Sequence, residues 1–236
     1  MKKLLTLLPL LLVLIIPTPA FAAIAFDSNG GGAFTGLTNP TTRSFTVASG
    51  QAAIVLTRLG GVPSSVTYNG VALTKYVDQI DGDGNHNSIW ALVFTADGSA
   101  HNAVINGTTG GRAQFASYTG VVGTGVTAAT AFPSGSGNTT VNLVLGTNSW
   151  IVAGHEETSV NPDSAIGLTS RNGGDLTTDG DLWDTNGALS GSQDVGWHWA
   201  SASLRTIYAL ELTSTTPAVA TITASILGLV RAFFIR

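Results

Sequence analysis

Cysteine is absent from all 236 residues, and this absence excludes several kinds of chemistry at once. A chain without cysteine has no disulfide framework, no lipid attached at a cysteine and no thiolate nucleophile. A domain of about 200 residues buries enough apolar surface to be stable without such cross-links. The sequence therefore predicts a fold held together by its core alone.

Charge is scarce as well, since Asp, Glu, Lys and Arg make up 10% of the chain. Removal of the N-terminal segment described below takes away Lys2 and Lys3, two of the ten basic residues, and leaves eight against 14 acids, a net charge of −6. Nucleic acids and anionic membranes are bound by concentrated Lys and Arg. The composition thus argues against both as partners, and a membrane contact is expected only through the C-terminal tail, if at all.

Sustained helical periodicity is missing between residue 23 and Ser214, apart from a hint of a short helix at Ala128, Ala129 and Ala131. About ten short apolar and β-branched runs alternate instead with turns rich in Gly, Asn and Ser, a pattern typical of β-sandwiches. We expect an all-β, two-sheet antiparallel β-sandwich, a jelly roll, as a single domain over residues 23–213.

Two local patterns each predict a particular piece of structure. Asn69-Gly70 stands between two strand-like runs, and this dipeptide tolerates the positive φ angles of a two-residue hairpin turn. The segment Ser88 to Thr95 is too apolar for a strand with one wet face, which predicts a position in the centre of a sheet.

The first 22 residues read as a cleaved signal peptide. Lys2 and Lys3 precede an apolar run from Leu4 to Ile16, and Ala20-Phe21-Ala22 has the A-x-A pattern of a cleavage site. The apolar run is short for a membrane span, which needs about 20 residues. We expect export, to the extracellular space, the cell surface or the periplasm.

Three segments resemble a group of secreted bacterial and phage-associated jelly-roll modules of the concanavalin A-like type: Tyr68 to Thr74, Ile89 to Val93 and Phe115 to Val121. The similarity extends in outline over residues 43–212, and its motifs are structural. It implies surface attachment or glycan recognition, and no catalytic motif accompanies it.

An acidic segment, Asp78 to Asn87, places alternating oxygen-bearing side chains at Asp81, Asp83, Asn85 and Asn87. Such a spacing can direct several oxygens at one Ca²⁺ ion. The segment fails the helix-loop-helix calcium pattern, because His86 stands where Gly is required and Leu92 where a bidentate Glu is required. A solvated turn rich in Asp, Asn and Gly is the competing interpretation.

Candidate ligand-binding residues lie in the second acidic stretch, which contains Asp179, Asp181 and Trp183, with Asn186 just after it. A Trp ring can stack on a pyranose while carboxylates and amides bind its hydroxyls. The same Trp could instead close the core under a loop. Trp197 and Trp199 share one face of a strand, where a core position is favoured over an aromatic platform.

Hydrolase signatures are missing. Only three Glu residues occur, Glu156, Glu157 and Glu211, and none begins the E-x-D-x-E strand that places two carboxylates on one face in concanavalin-like glucanases. His155-Glu156 begins like a zinc-protease helix, but Ser159 replaces its second His, and no G-x-S-x-G is found. A hydrolase with residues from distant loops stays the third functional hypothesis.

The C-terminal tail, residues 214–236, contains a 13-residue uncharged run from Ala218 to Val230 and ends in Arg236. The tail suits a final strand, a donor segment for a neighbouring subunit, or a short apolar helix for sorting or anchoring. The spacing of its apolar residues fits the helix best. The leading hypothesis for the chain is a non-catalytic binding or adhesion module for a glycan or cell-surface polymer. The second is a structural subunit of an extracellular filament or coat that self-associates through this tail.

Overall fold

A computed structural model of the chain describes residues 23–157, 160–172 and 181–214, without the side chains of residues 131–134 and 203. The predicted signal peptide, residues 215–236 of the tail and Asp179 lie outside the described residues. The described part consists of strands and turns and contains no helix that could span a membrane. Its strands are β1 (Ala25–Ser28), β2 (Phe34–Thr35), β3 (Thr41–Thr46), β4 (Gly50–Gly60), β5 (Ser65–Tyr68), β6 (Val71–Ala72), β7 (Thr74–Ile80), β8 (His86–Ala96), β9 (Ala100–Asn106), β10 (Arg112–Thr119), β11 (Gly123–Glu157), β12 (Ser164–Ile166), β13 (Thr169–Ser170), β14 (Trp183–Asp184) and β15 (Leu189–Thr213).

These strands confirm the all-β class and pair antiparallel in three sheets. A six-stranded sheet has the order β1-β10-β4-β8-β7, with β2 also paired to β10. A four-stranded sheet has the order β3-β9-β5-β6, and a five-stranded sheet the order β12-β15-β11-β14-β13. The layered antiparallel sheets are consistent with a β-sandwich, although two sheets were expected.

The additional layer follows from β4, whose alternate side chains are buried on both faces. Ala52, Ile54 and Leu56 pack in one cluster with side chains of the four-stranded sheet. Ala53 and Val55 pack in a second cluster with side chains of β11 and β15 in the five-stranded sheet. The six-stranded sheet therefore lies between the other two, and residues 52–58 of its strand β4 are buried on both faces.

Two long strands, β11 and β15, build most of the five-stranded sheet. Residues 205–213 of β15 pair with residues 123–132 on one side and residues 150–157 on the other. Farther along, residues 137–145 pair with residues 191–199. The third core cluster contains side chains from each of these segments, with Ile207 and Ala209 from the C-terminal part of β15, so the bent strands enclose a core of their own.

The local predictions have mixed outcomes. Asn69 and Gly70 have φ angles of 49° and 76° and join β5 to β6, which confirms the hairpin. Strand β8 lies between β4 and β7, as its apolar sequence predicts. The helix at Ala128, Ala129 and Ala131 is wrong: this segment is part of β11, because its pairing with β15 outweighs the weak helical preference of three alanines.

Candidate functional site

The acidic segment folds as a tight hairpin loop, residues 81–85, between β7 and β8. The Asp81 backbone N–H donates to the Asn85 carbonyl at 3.0 Å, and Gly84 takes a φ of 83°. The Asp81 Oδ1 atom accepts hydrogen bonds from the backbone N–H groups of Asp83 and Asn85, at 2.8 and 2.9 Å. These bonds fix the orientation of the Asp81 carboxylate, as Asp side chains do in turns.

A carboxylate from a distant strand meets this loop. Glu156, near the end of β11, accepts hydrogen bonds from Asn85 Nδ2 at 3.3 Å and from Asn87 Nδ2 at 2.9 Å. Asn87 Nδ2 also lies 3.4 Å from Asp81 Oδ2. The sequence offered Glu156 only as part of a zinc-protease motif, which was rejected, and did not predict this contact. Glu156 lies 71 positions from Asn85 and 69 positions from Asn87 along the chain.

The electrostatics of Asp81 reflect these contacts. Burial raises the pKa of its carboxyl, but hydrogen bonds with Glu156 and with the backbone of Asn85 and Asp83 outweigh burial and hold the pKa below its ordinary value. Asp81 is therefore an anion at neutral pH, in hydrogen-bond contact with a second carboxyl group.

The structure brings together three of the four predicted metal ligands. Asp81, Asn85 and Asn87 share the contacts around Glu156, whereas Asp83 is exposed and contributes only its backbone N–H to the contacts described above. His86 turns away, since its Nδ1 atom lies 2.7 Å from Asp78 Oδ1. In the described ranges, no three His, Asp or Glu side chains are grouped to hold a metal ion. The polar groups that meet at this loop are two carboxylates, of Asp81 and Glu156, and two carboxamides, of Asn85 and Asn87.

The predicted glycan residues are dispersed. Trp183 is 4% exposed and Asp181 is fully buried, so in this structure the Trp183 ring presents no open face for stacking on a sugar. Asn186 is exposed, and its Oδ1 atom accepts a hydrogen bond from Arg171 Nη2 at 2.9 Å. Asp179 lies outside the described residues. The proposed contact through these four residues stays a prediction that the geometry does not assemble.

Trp197 and Trp199 are fully buried, as favoured from the sequence. Both belong to the third core cluster, with Trp183. Their rings surround His155, with the Trp197 centroid 4.5 Å from the imidazole, and His155 Nδ1 lies 2.8 Å from Glu157 Oε2. The aromatic residues are thus packing partners of a buried His–Glu pair.

The hydrolase hypothesis requires histidines and acids to converge, and the described contacts distribute them instead. Each of the four histidines contacts a different carboxylate. The pairs are His86–Asp78, His101–Asp97, His155–Glu157 and His198–Asp163.

One exposed surface carries ordered hydrogen-bonding groups on regular strands. We call it the amide face and define it by Asn138, Thr140, Asn142, Asp194 and His198, which β11 and β15 place in register. Asn142 and Asp194 are exposed, whereas the alternate residues of the same strands are buried in the third core cluster. The core thus fixes the backbone beneath this face.

Hydrogen bonds order the side chains of the amide face. Asn142 Nδ2 donates to Asp194 Oδ1 and to Ser192 Oγ, both at 2.8 Å. His198 Nδ1 lies 2.6 Å from Asp163 Oδ1, and this hydrogen bond lowers the pKa of the Asp163 carboxyl. Amide, hydroxyl, imidazole and carboxylate groups therefore stand side by side on one rigid surface.

Comparisons with protein-family models, with curated proteins and with solved structures found no match to this chain.

Proposed function

We propose that the chain is an exported, non-catalytic binding module of the concanavalin A-like, jelly-roll type, and that its ligand is a glycan. The amide face is the observation that carries this proposal. It offers donors and acceptors at fixed positions, as recognition of sugar hydroxyls requires.

Rigidity of the amide face favours binding. Asn142 and Asp194 are held by each other and by regular strands above a packed core, so little side-chain freedom is lost when a ligand is bound. Carboxylate acceptors bind hydroxyl donors strongly, because hydrogen bonds to charged groups are stronger than neutral ones.

Net charge indicates which glycans suit this module. Without its first 22 residues the chain has a net charge of −6, so it repels acidic polymers at long range. Neutral glycans at a cell surface or in an extracellular matrix are the ligand class that this charge and the amide face fit together.

A glycan array probed with the full chain, with and without EDTA, tests the proposal. We expect binding to neutral glycans in at least one of the two conditions. Binding to no glycan in either condition would contradict the proposed function.

A further inference from the structure

The outer edge of β11 between residues 137 and 145 is open in the part of the chain that the structure describes. This stretch pairs with residues 191–199 of β15 on one side, and the pairing of β11 with β14 involves only residues 152–153. Successive residues of an antiparallel strand direct their backbone N–H and C=O groups to opposite sides. The groups on the outer side of residues 137–145 are therefore available to a further strand.

The edge lacks the features that normally block such pairing, which are lysine, proline, bulges and inward-pointing charges. Residues 137–145 contain no charged residue and no proline. Their register with β15 is regular, since the shifts lie before Gly137 and after Leu145. Val144, on the outward face, is 67% exposed, so an apolar side chain stands in water beside the open edge.

The C-terminal tail contains a segment whose side chains match this edge. Residues 218–226 read AVATITASI, in which Ala or Ile occupies every second position and Thr or Ser fills three of the four positions between them. This alternation is that of a strand with one buried and one wet face. The apolar spacing of the whole tail favours a helix because residues 226–230 are almost continuously apolar, but the alternating segment precedes most of that run.

The tail also begins close to the edge. The described part of the chain ends at Ser214, whose Oγ atom donates to the Asn148 carbonyl at 3.0 Å. Asn148 follows Leu145 by three positions, and three residues, 215–217, separate Ser214 from the alternating segment. An extended chain spans about 3.3–3.6 Å per residue, so the tail can reach the Leu145 end of the edge and run antiparallel to β11.

We propose that residues 218–226 pair with residues 137–145 of the same chain and add an antiparallel strand to the five-stranded sheet. With Ala218 opposite Leu145, the Ala and Ile side chains of the tail share the face of β11 that contributes Leu143 and Leu145 to the third core cluster. The Thr and Ser side chains share the opposite face, which carries Asn142.

This register also pairs the two exceptions to the polar pattern. Val144 is the one apolar residue on the outward face of residues 137–145, and Val219 is the one apolar residue among the Thr and Ser positions of the tail. The register places Val219 directly opposite Val144. Cross-strand pairs of β-branched side chains stabilise a sheet, and each valine shields the other from water.

The short connection makes the chain's own tail the partner. Three residues link Ser214 to the pairing segment, so its effective concentration at the edge far exceeds that of a tail from another copy. The tail then completes the sheet of its own chain and does not serve as a donor segment for a neighbour. This pairing stands independently of the proposed glycan function.

An engineered disulfide tests the pairing, because the chain has no cysteine of its own. Directly opposite residues of an antiparallel pair have Cα atoms about 4.5–5.5 Å apart, a distance that a disulfide bridges. We expect the full-length Val144→Cys, Val219→Cys variant, mildly oxidised, to form this bond within one chain, as seen by a non-reducing gel and peptide mass spectrometry. In the matched control, Asn102→Cys with Val219→Cys, the first cysteine lies on the exposed side of β9 in another sheet, and no such bond should form. A disulfide between copies, no disulfide, or equal bonding in the control would overturn the proposal.

Hydrogen exchange tests the same pairing without cysteines. Ile222→Pro with Thr223→Pro removes backbone donors on both sides of the proposed strand, so amides of residues 138–144 should exchange about tenfold faster or more than in wild type. Ala232→Pro with Phe233→Pro puts two prolines in the tail beyond the pairing segment and should leave these rates unchanged. Equal exchange in wild type and the Ile222→Pro, Thr223→Pro variant, or equal acceleration in the control, contradicts the pairing. Circular dichroism confirms folding, and neither test contains a glycan, so each can fail while the array succeeds, and the reverse.

Discussion

Asp184 is a buried carboxylate on which hydrogen bonds from three residues converge. It is fully buried, and it accepts from Tyr118 Oη at 2.8 Å, from Arg171 Nε and Nη2 at 2.5 and 2.6 Å, and from the Asn186 backbone. Burial raises the pKa of the Tyr118 phenol well above its ordinary value, and Asp184 raises it further, so Tyr118 stays a neutral donor. Because Tyr118 belongs to β10 and Asp184 to β14, this contact ties two sheets together.

Asp184→Ala should lower the free energy of unfolding by about 3–5 kcal/mol, because it leaves the Arg171 guanidinium without its buried partner. Tyr118→Phe removes one hydrogen bond to a charged group and should cost about 1.5–3 kcal/mol. Urea denaturation at neutral pH measures both. An Asp184→Ala variant no less stable than Tyr118→Phe would show that the ion pair does not matter to the fold.

Among the elements, β11 and β15 show what a sequence pattern can and cannot predict. Their apolar alternation is visible in the sequence, and it is why Trp197 and Trp199 were expected in the core. Their length is not visible, since Gly135 and Gly137 resemble an ordinary connection, yet they lie within one bent strand with shifts of register. Register in such strands is set by a partner far along the chain, which local sequence does not encode.

Gly196 lies where the backbones of these two strands approach each other closely. A Cβ atom there would lie 2.1 Å from the Thr139 carbonyl oxygen, so only glycine fits without moving the backbone. Gly196→Ala should therefore cost about 1–3 kcal/mol of stability, as overpacking usually does. Gly187→Ala is the control, because a Cβ there comes no closer than 3.9 Å to another atom. Equal thermal unfolding midpoints for the two variants would refute the tight approach.

For the whole molecule, composition predicts the class and long-range pairing decides the layers. The all-β class follows from β-branched runs and turn residues. The third sheet does not, because a run such as Ala52 to Leu56 is equally apolar whether one sheet or two cover it.

Each candidate site likewise combines residues that local sequence predicts with residues that only long-range pairing brings near them. The local spacing of Asp81, Asn85 and Asn87 is readable in the sequence, whereas Glu156 joins them only through the packing of β11 against the hairpin loop. The amide face likewise depends on the register of Asn142 with Asp194, 52 positions away.

Binding of the best array glycan to an Asn142→Ala, Asp194→Ala double variant tests the central claim most directly. Both residues are exposed, so the fold should persist, and Asn102→Ala is a matched control on the exposed side of β9 in another sheet. The proposed function predicts that calorimetry finds affinity reduced by about tenfold or more in the double variant, a loss of about 1.4 kcal/mol, and unchanged in Asn102→Ala. Wild-type affinity in the double variant, or an equal loss in Asn102→Ala, would contradict glycan binding at the amide face.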